Sequence, residues 1–600
     1  QGTHGETEGG KGVFWRLHYI FNRAFEALRF RYMGLLEWSL RHRGRVLTGF
    51  MGFSVLSLGL IWLVGKDFFP VVDSGQMRLH ARCPVGTRIE QTEFMFSDVE
   101  REIRNIIPAN EMQSIIDNIG IPNSWTSLAQ GDIPTISSAD GEILISLEKD
   151  HRSTRDYEVL LRKRLHEKFP EMSFFFQPAD ITSQILNFGL PAPIDLQIVG
   201  RDSVANYKIA QQLVSKIERI PGAADVHIHQ VVDQPQIRLN VDRIKASQLG
   251  LTQRDVTSNM LMSLTGNGSV APNFWINWTN GVNYMVGVQT PQYRINSLDA
   301  LLRTPISVAN DAVNSNPQMD AAIGSNSFVA NSPNGASQAY ANPGAMSGNT
   351  QLLSNLVTVK REYAPVILNH YNVWPVFDVY ANVDRRDLGG VGGQVEKIMN
   401  EMEPHLPRGT TFVLRGQVET MDSSFFRLGL GMFFAVTLVY LLMTVNFQSW
   451  LDPFIILTAL PGALAGILWM LFVTGTTLSV PSLMGSIMCI GVATANSILM
   501  VTFANDQREF MPSAREAMLA AGQARIRPVL MTATAMILGM LPMSLGLGEG
   551  GEQNAPLGRA VIGGLLFATV TTLFVVPIIY SYLRTKTPID HDVELRRQGL

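Results

Sequence analysis

FFRLGLGMFFAVTLVYLLMTV (residues 425–445) is the first of five apolar stretches gathered near the end of the 600-residue chain; the others lie at 454–473, 480–503, 528–547 and 561–583. Each is close to the ~20 residues that a helix needs to cross a bilayer. One more, VLTGFMGFSVLSLGLIWLV (46–64, within 45–66), stands alone near the start. A lone early span, a long polar loop (67–420) and a tight five-span cluster describe a membrane protein with a large water-exposed domain.

Composition agrees. The chain is 46% hydrophobic and 16% charged with mean hydropathy +0.11, an average over nearly uncharged spans and an ordinary soluble loop. A net charge of −3 argues against a nucleic-acid partner. Of the two cysteines, Cys83 lies in the loop and Cys489 in a span, so they form no disulfide framework. The chain begins with Gln1 and shows no signal peptide, and residues 1–12 read as a polar tail, so part of a longer or a cleaved protein is expected.

Charges at the span ends orient the bundle. Arg41, Arg43 and Arg45 precede the first span, which places its start in the cytoplasm and the loop outside. Counting on, span four ends in a segment carrying Arg508, Arg515, Arg525 and Arg527, read as a cytoplasmic loop, and span six ends at Arg584 and Lys586. All these basic clusters fall on one side, so six spans are self-consistent, with 421–587 holding spans two to six and 588–600 a cytoplasmic tail. Ahead of span one, residues 13–44 carry Phe14, Leu17, Phe21, Phe25, Leu28, Leu35 and Leu36 at near-helical spacing, interleaved with Arg16, Arg23, Arg29 and Arg31. That pattern predicts an amphipathic helix on the inner membrane surface.

The loop alternates strand and helix signals. Strands are expected at 76–84, 111–118, 142–147 and 172–178, with helices at 89–106 and 157–169. This βαβ–βαβ order is the split, ferredoxin-like plan. It recurs as strand 194–200, helix 204–220 and strand 224–230, then downstream as strand 376–383, helix 391–402 and strand 410–416. The expected fold is therefore an α-helical transmembrane bundle of six spans plus an α+β domain of ferredoxin-like βαβ repeats. The first unit covers 67–182. The second covers 183–264 and 361–420, interrupted by an insertion at 265–360. Within it, 309–350 is rich in Asn, Ser, Ala and Gly and reads as a projecting excursion.

Motifs for enzyme chemistry fail. GETEGGKG (5–12) lacks the Ser/Thr and the preceding strand of a phosphate-binding loop. No GxSxG is present, and no cofactor is expected. His227 and His229 share a strand face, but no Cys or acidic cluster accompanies them, so they read as satisfied surface histidines rather than metal ligands. Polar residues inside the spans carry more weight, since each is costly there. They gather in span four (Thr494, Asn496, Ser497, Thr502) and span five (Thr532, Thr534), with Arg525 and Arg527 at the cytoplasmic end of the latter. Close helix packing and an ion path are both open readings of GVATANS (491–497).

Several stretches resemble one family's motifs: FFPVVDSG after span one, FQSWLDPF between spans two and three, GVATANSILMVTFA in span four, RIRPVLMTATAMILGMLP at span five and GEGGEQNAPLGRAVIGGL before span six. With the layout, they resemble the C-terminal half of resistance–nodulation–division (RND) efflux pumps. The resemblance implies a proton-driven homotrimer in the bacterial inner membrane. The α/β units would be periplasmic porter subdomains and the insertion a docking subdomain facing a periplasmic adaptor and an outer-membrane channel. It also implies an N-terminal half carrying acidic relay residues. In that family's drug pumps a span-four Lys answers those acids; its position falls on Ala495 here, while Asn496, Arg525 and Thr532 match. Asn496, Arg525, Thr532 and Thr494 are thus the coupling candidates. The aromatic-rich loop of multidrug pumps corresponds to about 119–138, which offers Ile119, Ile121, Trp125 and Leu128 but no Phe. With Leu144 these are the substrate-pocket candidates. Three functions remain open: a proton-coupled exporter of small molecules, a non-transporting binding or assembly protein of the same fold, and a metal-ion exporter.

Overall fold

The computed structural model describes residues 13–121, 135–268, 270, 272–307, 350–508, 510–511, 513–548 and 550–584. The readings of 1–12, of Trp125 and Leu128, of nearly all of 309–350 and of 588–600 lie outside the described residues.

Helix α1 (Val13–Arg41) is followed by span 1 (Arg43–Val64). Among the described residues, six helices are long and apolar enough to cross a membrane: span 1, span 2 (Gln417–Phe447), span 3 (Leu451–Val473), span 4 (Val480–Gln507), span 5 (Ala514–Ser544) and span 6 (Ala555–Leu583). Spans 3, 4 and 6 form the packed centre, with half or more of each apolar window buried, against 6% for span 2 and 17% for span 5. Small residues make that centre possible. A Cβ added at Gly466 of span 3 would lie 2.4 Å from the Gly563 carbonyl of span 6, and one at Gly462 would meet Thr571. Gly466→Val is accordingly expected to force the two helices apart at a cost of about 1–3 kcal/mol, read as a lower unfolding midpoint of the purified protein in detergent.

Two helices depart from their expected bounds. Span 5 is continuous through Pro528, so Arg515, Arg525 and Arg527 lie on a helix, not in a loop. Proline is tolerated inside a span because neighbouring groups take up the freed carbonyl. Span 6 contains a π-helical turn, Thr571–Val575, and the Leu573 carbonyl accepts from the Tyr32 hydroxyl of α1 at 3.0 Å. Leu36 and Leu40 of α1 are fully buried in the core that includes Met518 and Ile526 of span 5 and Val576 of span 6. That half of α1 is thus packed on protein. At the opposite end of spans 4 and 6 from the loop, buried Asp452 accepts from Arg584 Nε at 2.9 Å and Asn505 Nδ2 at 3.3 Å, and Tyr580 donates to Asn505 at 2.6 Å.

The loop opens with strand β1 (Gln76–Arg82), helix α2 (Ile89–Ile106), β2 (Met112–Ile119), β3 (Asp140–Leu147), helix α3 (Thr154–Lys168) and β4 (Ser173–Gln177). They form one antiparallel sheet in the order β2-β3-β1-β4. Period-two alternation points Ile143, Ile145 and Leu147 at the helices. Those present Phe96, Val99 and Ile103, and Tyr157, Leu161 and Leu165, at helical spacing. Each such buried side chain contributes roughly 1.5–3 kcal/mol. β5 (Ile194–Val199), helix α4 (Ser203–Ile217) and β6 (Ala223–Ile228) begin a second sheet.

The chain then forms a separate compact unit, Val231–Ile367. It holds β7 (Gln234–Val241), the hairpin β8 (Asn273–Asn277) and β9 (Val282–Val286), β10 (Pro305–Ile306), β11 (Gln351–Leu352) and β12 (Val357–Ala364). β7 and β12 pair as an eight-residue antiparallel ribbon beside a small core of Ala246, Leu251, Val256, Ile306, Leu353 and Leu356. β13 (Asn369–Tyr371), β14 (Trp374–Val383), helix α5 (Leu388–Met402) and β15 (Thr411–Gly416) complete the second sheet, ordered β13-β14-β5-β15 with β6 on β14. Gly416, at φ +90°, turns β15 into span 2 where a Cβ would sit 2.5 Å from the Pro193 carbonyl.

Candidate functional site

Span 4 starts with Ser479 N–H donating to the Ser482 hydroxyl at 2.8 Å and runs unbroken past its polar residues. Asn496 is 5% exposed and its Oδ1 accepts from the Thr532 hydroxyl of span 5 at 3.1 Å. Seven residues further along span 4, Phe503 lies under the Arg525 guanidinium, 4.9 Å from the ring centroid; Arg525 is seven residues before Thr532. Two helical turns separate the members on each helix, so the pairs are rungs about 10 Å apart between antiparallel helices. Arg525 is half-buried, and its buried Nε has no hydrogen-bond partner. Thr494 is not part of this arrangement: it lies two residues from Asn496, on another side of the helix, and donates to the Ile490 carbonyl at 2.7 Å.

Beside the rungs runs a bare stripe. Met484, Met488, Gly491, Ala495 and Leu499 recur at three- and four-residue spacing on span 4, all exposed, and Thr532, Met531 and Leu538 of span 5 are exposed as well. Ala495 stands in that stripe next to Asn496.

Of the substrate-pocket candidates among the described residues, Ile119 and Leu144 lie on opposite faces of one sheet. Ile119 pairs with Gly141 and packs on the helix-covered core, whereas Leu144 belongs to the opposite face of the sheet. Ile121 is exposed.

The sequence reading missed a second polar cluster, where the two sheets meet. Phe175 of β4 is sandwiched between His80 of β1, centroid 4.3 Å away, and His227 of β6 at 3.8 Å. Asp225 fastens the sheets: its carboxylate takes Arg162 Nε at 2.9 Å and Nη2 at 2.9 Å, the Phe176 N–H at 3.2 Å and Asn382 Nδ2 at 2.8 Å. Arg82 binds Asp140 at 2.7 Å and reaches the His229 carbonyl at 3.4 Å. His227 and His229 are therefore not satisfied surface histidines: both are half-buried, and His227 Nε2 is buried without a partner. Burial pushes His227 down to about 3 and His229 down to about 4, and lowers fully buried His80. Burial opposes ionisation of Asp140 too, but His80 and Arg82 outweigh it and hold the carboxyl at about 2. Burial raises Glu158, on α3 beside Arg162, to about 7. Among the described residues, no three His, Cys, Asp or Glu side chains are arranged to hold a metal ion.

These shifts give the junction a pH dependence. His227 and His229 are neutral when packed but regain their ordinary value of 6.5 when exposed. Their contribution is full above that value and is lost as pH falls towards 4, because only the opened state takes the proton; Arg82 adds repulsion at both, while at His80 Asp140 offsets part of the effect of burial. The unfolding midpoint of the purified protein should therefore fall as the solution goes from about pH 7 to about pH 4.5, with His227→Phe, which keeps the ring stack, removing much of the fall. An identical fall in both proteins would show the imidazole to be uninvolved.

A model of the AcrB/AcrD/AcrF family matches residues 3–584. The chain is 26% identical over 583 residues to the cobalt-zinc-cadmium resistance protein CzcA of Cupriavidus metallidurans, covering 96% of this chain and 50% of that protein. It has the same identity and coverage with the cation efflux system protein CzcA of an Alcaligenes species. In fold it is similar to a heavy metal efflux pump solved in two crystal forms, with TM-score 0.72 at 23% identity over 94% of this chain and 52% of that one. The chain spans about half the length of the curated relatives it matches.

Proposed function

The chain belongs to the AcrB/AcrD/AcrF family of RND permeases, and on that premise we propose that it is the C-terminal half of a proton-driven exporter in the bacterial inner membrane. In this reading all six apolar helices span the bilayer and the polar loop is periplasmic. The first sheet with its helices (67–182) and the second sheet (β5, β6 and β13 to β15) with its helices are ferredoxin-like porter subdomains, and the separate unit that contains 265–360 is a docking subdomain. The working pump is a homotrimer that engages an adaptor and an outer-membrane channel.

The observation that carries the proposal is the pair of rungs between spans 4 and 5. An arginine Nε buried without an acceptor is costly. Arg525 lies in that state one rung from Asn496–Thr532, beside a bare stripe that includes Ala495. An acid from the other half, docking on that stripe, would supply the acceptor. Protonating that acid would release the guanidinium, and Asn496 and Thr532 would exchange partners with it. Arg525 then does the work that a lysine at position 495 would do.

The test is flux from the full-length protein in proteoliposomes under an imposed pH gradient. Export that rises with the gradient supports the proposal, and export indifferent to it overturns the proposal.

A second reading concerns cargo. The relatives are named for cation efflux and for cobalt, zinc and cadmium resistance. Those names favour a divalent transition-metal cation over an organic compound. Gradient-driven movement of Zn²⁺ with none of an organic dye would select this reading, and the reverse would exclude it.

A further inference from the structure

Spans 4 and 5 carry the rungs, yet neither has a covalent connection to the sheets, since each is flanked in sequence by other spans. Movement at Asn496 or Arg525 has to reach the loop through contacts. The eleven-residue segment 65–75, between span 1 and β1, gathers those contacts.

On the membrane side the segment is bound to the start of span 4 and to the turn that joins span 5 to span 6. Asp67 N–H donates to the Leu478 carbonyl at 2.9 Å, Leu478 N–H to the Gly65 carbonyl at 3.1 Å, and Val480 N–H, at the first residue of span 4, to the Phe68 carbonyl at 3.2 Å. Asp73 N–H donates to Glu552 at 2.8 Å, and Glu552 lies in the turn that joins span 5 to span 6. On the loop side the same segment holds one helix of each sheet by its N-terminus. Asp73 accepts from Thr154 N–H at 3.1 Å and from the Thr154 hydroxyl at 2.8 Å, capping α3 across 81 positions of sequence, while Ser153 supplies no side-chain cap. Asp67 accepts from Leu388 N–H at 2.7 Å at the start of α5. Asp387, the cap of α5, accepts in turn from Lys66 N–H at 3.0 Å, and Gly389 N–H donates to the Lys66 carbonyl at 2.8 Å. Gly65, at φ +72°, allows this approach: a Cβ there would sit 2.9 Å from Asp387 Cβ.

We infer that segment 65–75 is the transmission element of the pump, with Glu552–Asp73–Thr154 passing movement of the turn between spans 5 and 6 to the first sheet and Val480–Phe68 with Asp67–Leu388 passing span 4 movement to the second. Asp67, Asp73 and Glu552 are positioning residues: they fix where two helices begin relative to two spans. The inference rests on the proposal that spans 4 and 5 answer a proton gradient.

Glu552 is the point to test, because it is exposed and its replacement does not threaten the core. The full-length protein in proteoliposomes carries spin labels at Lys163→Cys on α3 and Lys397→Cys on α5, both exposed. The inter-label distance is measured with and without an imposed pH gradient, and entry of protons is followed with a trapped pH dye. Glu552→Leu is expected to reduce the gradient-driven change in distance by ~5-fold or more, while proton entry persists. Glu552→Gln keeps an acceptor oxygen for Asp73 N–H and should respond as the wild type does. Asp73→Ala should behave like Glu552→Leu. If both Glu552 variants respond like the wild type, the transmission assignment is overturned and the proton-driven reading stands. If the wild type itself shows no response to the gradient, that reading fails and takes this inference with it.

Discussion

Arg525→Ala in the full-length pump is expected to abolish gradient-driven export, by roughly 100-fold or more, while membrane insertion and trimer assembly continue. The guanidinium is held from below by Phe503 at 4.9 Å, and its Nε is buried with no acceptor. Such a group contributes little to the fold of this half, because its unpaired nitrogen is a cost. In the proposed reading its value lies in an acid of the other half. Removing it would leave that acid without a cation whether or not it is protonated, so protonation would no longer change a contact. Arg525→Lys keeps the charge but loses the flat fork that rests on the ring, and should retain a fraction of the flux with a shifted pH profile. Thr532→Ala, which frees Asn496 Oδ1, should be milder and act in the same direction. Full export by Arg525→Ala at wild-type protein levels would remove the coupling role from this residue.

The fold was legible where one periodicity dominated. Ile143, Ile145 and Leu147 alternate, and Tyr157, Leu161 and Leu165 step by four, so strand and helix in the first sheet were readable from pattern alone. The second sheet's strands could be read likewise, although Val231–Ile367 lies between β6 and β13. Span 5 was misread at its start because Pro528 and two arginines look like a boundary, while the helix passes through them. That error hid the rungs: only a continuous helix puts Arg525 two turns from Thr532, facing Phe503 as Thr532 faces Asn496.

The site at the sheet junction was illegible for another reason. Phe175 sits in a run of three phenylalanines that reads as apolar strand, and His80 lies on a different strand from His227. Nothing local says that an imidazole from each sheet closes on one ring, or that Asp225, at φ +54°, turns its carboxylate towards α3. Ile119 and Leu144 failed for the simplest reason. Residues of paired strands share a face only when their register agrees, and register is not written in either strand by itself.

Arg162→Ala should be the most damaging single change in the polar loop, costing about 3–5 kcal/mol. The pair is largely dry: the Asp225 side chain is 5% exposed and that of Arg162 19%. Two nitrogens of one guanidinium meet the carboxylate, and the same guanidinium lies over Phe176, 4.8 Å from its centroid. Deleting Arg162 strands a buried carboxylate that keeps only the Phe176 N–H and Asn382 as donors. Neither brings charge. Lysine cannot replace the fork, so Arg162→Lys should recover little. Asp225→Asn added to Arg162→Ala should recover part of the loss, since a neutral amide removes the stranded charge and can still accept from Phe176 N–H. The cycle of single and double variants, followed by unfolding of the purified protein, isolates the coupling. Since α3 and β4 belong to the first sheet and Asp225 and Asn382 to the second, the loss should also appear as a wider distance between the label positions on α3 and α5 at neutral pH. A penalty below ~1 kcal/mol, the range of exposed pairs, would mean that the ring stack around Phe175, and not the ion pair, holds the sheets together.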